Sequence, residues 1–175
     1  MSRADFKSPY PAVTHLLRLG TPELVLVMTL RLWFAAAFGP ATRETAFHWQ
    51  DGLGAAGVSK EGSMAFHELM EAIVLETRKP LDFRPRHCPH LGRDEGRLLQ
   101  IISLLQHGGR SVTTAILSAW MSPSASRIAS KLALRLAEEL TQAGLTLPSR
   151  SVIISCDDGS SCSTPLADPT SMHLH

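Results

Sequence analysis

The chain has 175 residues, 44% of them hydrophobic, and a formal net charge of +1. That length and apolar fraction suit one domain with a real core, and the near-neutral balance excludes a global attraction to nucleic acid or acidic membranes. Three cysteines, Cys88, Cys156 and Cys162, do not make a disulfide scaffold, and Met1 to Ser8 lacks a signal-peptide core, so a cytoplasmic protein is expected.

Residues 1–10 read as an N-terminal arm, 11–148 as a helical domain and 149–175 as a low-order tail. Ala12 to Leu19 is expected as a short helix closed by Gly20. Thr21-Pro22-Glu23 is a helix start: Thr21 as cap, Pro22 where no N–H is needed, Glu23 at the positive end of the dipole. This helix runs to Phe38 and stops at Gly39-Pro40. From Leu24 to Phe38 only Thr29 and Arg31 interrupt the apolar run. Fifteen helical residues span roughly 22 Å, short of a ~30 Å hydrocarbon core, and Arg31 near the middle adds to the cost of insertion. No membrane partner is therefore expected. The helix should be central in the fold, and residues 21–38 are also a candidate homodimer interface.

Thr42 to Trp49 is a weaker helical stretch, and Gly52, Gly54 and Gly57 read as a turn or a flexible joint. From Lys60 to Thr77 the helical period is clear, with Phe66, Leu69, Met70, Ile73 and Val74 inward and Glu61, Glu68, Glu71 and Glu76 outward. Pro80, Pro85 and Pro89 define an extended loop. A helix then starts near Gly92, with Asp94 and Glu95 in its first turn and Leu98, Leu99, Ile101, Ile102, Leu104 and Leu105 on a broad buried face. Ser111 is the expected cap of the next helix, with Val112, Ala115, Ile116, Ala119 and Trp120 inward. Ser122-Pro123 starts the last helix, with Ile128, Leu132, Leu136 and Leu140 on one side, up to Gly144. Within the polar tail, Val152 to Ser155 could dock as a short strand.

Four constellations carry chemistry. The loop Arg84-Pro85-Arg86-His87-Cys88-Pro89-His90 is basic and runs into a helix N-terminus, where free N–H groups favour anions. Arg84, Arg86 and Arg93 are the candidate ligand-binding residues, and a solvated loop with local ion pairs is the plainer reading. Imidazole and thiolate suit zinc, so His87, Cys88 and His90 are candidate metal ligands. A closed site needs a fourth, from Cys156 or Cys162. On the third helix His67 and Glu71 stand one turn apart, beside Glu68. The second Glu-x-x-His copy of a di-metal bundle is missing, so a solvent-facing helix side is expected. Finally, Val112 to Met121 followed by Ser124 to Leu140 resembles helix-turn-helix spacing, with Arg127, Lys131 and Arg135 in a basic row. Glu138 and Glu139 follow it, and an ordinary amphipathic helix explains the pattern equally well. No Gly-x-Ser-x-Gly elbow, phosphate-cradling glycine loop or HExxH run is present.

The stretch from Pro80-Leu-Asp-Phe through His87-Cys-Pro-His-Leu-Gly-Arg-Asp-Glu-Gly-Arg-Leu-Leu resembles a family of uncharacterised small helical bacterial proteins, in which a Cys in a Pro-containing loop leads into Leu-Gly-x-Asp-Glu and a Leu-rich helix. The resemblance spans about Thr21 to Pro148 and implies a bacterial cytoplasmic helical domain, with no activity attached. The expected fold is all-α, a bundle of about six or seven helices with a flexible C-terminal tail. The expected function is a non-enzymatic binding or regulatory protein that uses loop 84–93 to meet another protein or a small anionic ligand. The alternatives are a metal-dependent protein centred on Cys88 and a DNA-binding regulator using helix 124–140.

Overall fold

Helix starts in this chain follow from polar groups that occupy otherwise unpaired N–H donors. In a computed structural model, which describes residues 5–7, 9–10, 14–39, 48–77, 79–149 and 153–155, six α-helices form: α1 (Thr21–Phe38), α2 (Trp49–Ala55), α3 (Lys60–Glu76), α4 (Arg93–Gln106), α5 (Arg110–Leu117) and α6 (Pro123–Gln142). The fold is all-α, as the periodicity predicts. Ser59 Oγ accepts from Gly62 N at 3.0 Å and Ser122 Oγ from Ala125 N at 3.3 Å, capping α3 and α6. At α1 the cap is Gly20 rather than Thr21, because Glu23 reaches back to accept from Gly20 N at 2.7 Å. The start of α4 repeats the device, with Glu95 accepting from Gly92 N at 2.7 Å. Helix α5 begins at Arg110 after Gly109, so Ser111 lies inside it rather than capping it.

The core is built between α3, α4 and α6. Phe66, Leu69, Met70 and Ile73 of α3 and Leu98, Leu99, Ile101 and Ile102 of α4 are all buried in one core cluster, with α6 packed against both helices. On α6 the buried stripe is Ala125, Ala129, Ala133, Leu136, Ala137 and Leu140, while Ile128 is 61% exposed and Leu132 half-buried. The expected leucine row is thus corrected: a row spaced by four drifts about 40° per step around a helix and cannot keep one face. Small residues let α3 and α6 approach closely. A Cβ on Gly62 would lie 2.6 Å from Val58 Cγ1 and 2.8 Å from Glu139 Cβ, and Ser59 Oγ donates to Glu139 at this crossing. Helix α5 is also rotated from expectation: Thr113, Ile116 and Leu117 face inward, and Ala115 and Ala119 are exposed.

Helix α1 flanks this core instead of forming its centre, packing on α2 and α4. By length and composition it is apolar enough to cross a membrane. Its two charged side chains, Glu23 and Arg31, are buried on the inward face with Leu26, Val27, Leu30 and Trp33. Val25, Met28 and Leu32 are half-buried, Val25 and Leu32 against the rim of the core. An all-apolar helix does not choose its position by hydrophobicity alone; here the inward charges and their partners choose it. Gly52 and Gly54 lie inside α2 rather than in a turn, because Trp49 and Leu53 anchor that helix in the core. The turn comes at Gly57, at φ 86°. The rest of the weaker helical stretch, residues 42–47, lies outside the described residues.

Before α1, among the described residues, Leu16–Arg18 alone is helical, as one 3-10 turn; residues 12–13 of the expected helix lie outside the described residues. Tyr10 is buried, donating to Glu23 Oε1 at 2.7 Å. Near the other end Ile153–Ser155, within the segment expected to dock as a strand, pairs antiparallel with Asp5–Lys7. Residues 156–175, with Cys156 and Cys162, lie outside the described residues.

Candidate functional site

The loop before α4 is fastened from below by one side chain. Arg31 Nε and Nη2 each donate to Glu95 at 2.8 Å. Nη1 donates to the carbonyls of Cys88 at 2.6 Å and Pro85 at 3.3 Å, and Nη2 donates also to the carbonyl of His90 at 2.8 Å. All five guanidinium N–H groups therefore have acceptors. Glu95 is equally occupied: Oε1 accepts also from Arg84 N at 2.9 Å, and Oε2 from Gly92 N. Both side chains are fully buried. A buried ion pair is tolerated when its remaining donors and lone pairs are filled, and here the loop backbone fills them.

The neighbouring carboxylates hold the loop from the side. Asp94 accepts from Asp82 N at 2.8 Å, from Arg97 at 3.0 Å and from the Trp120 indole at 3.3 Å. Asp82 accepts from Arg93 N at 2.8 Å. Gly92 is required here, since a Cβ would strike the backbone oxygen of Asp82. On the far side Leu16 N donates to Pro89 O and Leu91 N to Thr14 O, both at 2.8 Å. Cys88 N closes a tight turn onto Pro85 O at 2.9 Å. Arg86 and His87 sit at the exposed tip of that turn.

The expected ligand-binding residues fall on this frame unequally. Arg84 is exposed but paired with Asp82 at 3.0 Å, and Arg93 lies 3.9 Å from Asp94. Arg86 makes no ion pair among the described residues. At the start of α4 Gly92 N is taken by Glu95 and Arg93 N by Asp82, so two of the N–H groups an anion could meet there already have acceptors. Of the expected metal ligands, His87 and His90 are exposed and Cys88 is half-buried with a free thiol. The His90 ring stands edge-on to His15 at 5.5 Å. Among the described residues no three His, Cys, Asp or Glu side chains are grouped as around a metal ion. Arg127, Lys131 and Arg135 are exposed along α6, and Arg135 stands 4.0 Å from Glu68.

A second constellation surrounds His67. The Trp33 indole donates to His67 Nδ1 at 2.9 Å, which leaves the ring proton on Nε2, facing Glu71 Oε1 at 3.4 Å. The imidazole stacks on Trp49 with centroids 5.7 Å apart. These rings, with Phe38, Val74 and Leu75, border an open pocket of about 350 Å³ between the end of α1, the start of α2 and α3. The helical step from His67 to Glu71 was visible in the sequence. The contribution of Trp33 and Trp49 was not, because neither is local to α3.

A comparison with protein-family models found no match, and neither curated proteins nor solved structures gave one.

Proposed function

We propose that the protein is a non-enzymatic binding or regulatory protein of the cytoplasm, which meets an anionic partner, another protein or a small anionic ligand, through the basic loop 84–93. The observation that carries this reading is the anchoring of the loop. Arg31 fixes three of its carbonyls and Glu95 two of its N–H groups, while Arg84, Arg86, His87, His90 and Arg93 remain exposed. A surface ordered beforehand loses less conformational entropy when it binds. Arg86 is the strongest candidate contact, since no carboxylate among the described residues competes for it.

The test is capture from native lysate with the wild-type chain and with Arg84→Ala/Arg86→Ala. The variant is expected to keep its helical spectrum and lose partners that the wild type holds in a salt-sensitive way. An identical capture profile counts against the loop. Helix α1, residues 21–38, is where a second copy would pack. Sedimentation over a range of concentrations reports whether it does.

A further inference from the structure

The pocket at the end of α1 is distinct from the basic loop and has its own chemistry. Its floor is aromatic, with Trp33 and Trp49 nearly buried at 5% and 9% exposure. Phe38 and Leu75 form an exposed apolar rim, at 56% and 82%. Among the described lining residues the only ionisable side chains are His67 and Glu71. Trp33 consumes the acceptor nitrogen of His67, and the remaining ring N–H faces Glu71. The polar wall therefore presents an imidazole N–H beside one carboxylate, Glu71.

An apolar, aromatic space with a single carboxylate discriminates among small molecules. Anions are repelled by Glu71. A primary ammonium is strongly hydrated and loses much on entering an apolar site. An alkylated ammonium carries its charge inside an apolar shell, which suits aromatic walls and a carboxylate together. The volume is at the small end of the roughly 300–1,000 Å³ typical of ligand sites. We propose that this pocket binds a small alkylated ammonium ion, with its alkyl surface against Trp33, Phe38 and Leu75 and its charge toward Glu71.

The experiment titrates the full chain with choline and, separately, with 3,3-dimethyl-1-butanol, in which a carbon replaces the charged nitrogen. Tryptophan emission is read at constant ionic strength. Choline is expected to shift the emission saturably, and the neutral analogue to bind about tenfold more weakly. Glu71→Gln, at a half-exposed position on α3, is expected to keep the helical spectrum and to lower choline affinity by a similar factor. Equal binding of the two probes overturns the proposal, since it would mean a merely apolar pocket. So does an unchanged choline affinity in Glu71→Gln. Absence of a saturable shift with either probe overturns it as well, the result expected if the chain's own residues fill the space.

Discussion

Two residues on the inner side of α1, Arg31 and Trp33, organise neighbouring regions in opposite ways. Arg31 draws in a loop and satisfies every donor it has; the Arg31–Glu95 pair is closed to solvent and leaves no group free to meet a ligand. Trp33 fixes one nitrogen of a half-exposed histidine and leaves an apolar wall open beside it. The first region is a clamp, and its exposed basic groups lie outside it, with Arg86 and His87 at the turn tip. The second is a concavity whose chemistry is still available. Buried charge therefore marks architecture in this protein, and the partly exposed His67–Glu71 pair marks the more open chemistry.

The comparison is broken most severely by Arg31→Met. It strands Glu95 in the interior and leaves three carbonyls without their donor. A loss of about 3–5 kcal/mol is expected in denaturant unfolding, larger than for any other single polar change in either region. A small effect would show that the clamp is not needed to hold the loop. Gly92→Ala should come next, at about 1–3 kcal/mol, because the added methyl must push Asp82 and the loop away from α4. Amide hydrogen exchange should rise at Arg84 and Gly92 if that is where the strain is relieved. Trp33→Phe keeps the ring and removes the donor to His67. The freed imidazole can meet water, so about 1 kcal/mol or less is expected, with the His67 ring resonances shifting as the tautomers equilibrate.

Much of the loop was legible beforehand. Three prolines forbade a helix, and Asp94 and Glu95 marked a helix start. The clamp itself was hidden, because Arg31 and Glu95 lie 64 positions apart, and no local pattern links an arginine in one helix to a glutamate in another. The same limit explains α6. Its leucines drew the reading toward a row that winds off the face, while its buried alanines carry no strong signal by themselves. It also explains α2, where two glycines argued for a turn and two buried anchors, Trp49 and Leu53, held a helix.

By itself the sequence determined the helical class, the Pro-rich interruption before α4 and most helix ends, since these depend on local periodicity, prolines and capping groups. Only the tertiary structure decided that α1 flanks the core, which face of α5 and α6 is buried, and that Arg31 and Trp33 each organise a site. Those outcomes depend on which groups distant in the chain satisfy one another once water is excluded, and pairing of that kind is settled by packing rather than by neighbours in sequence.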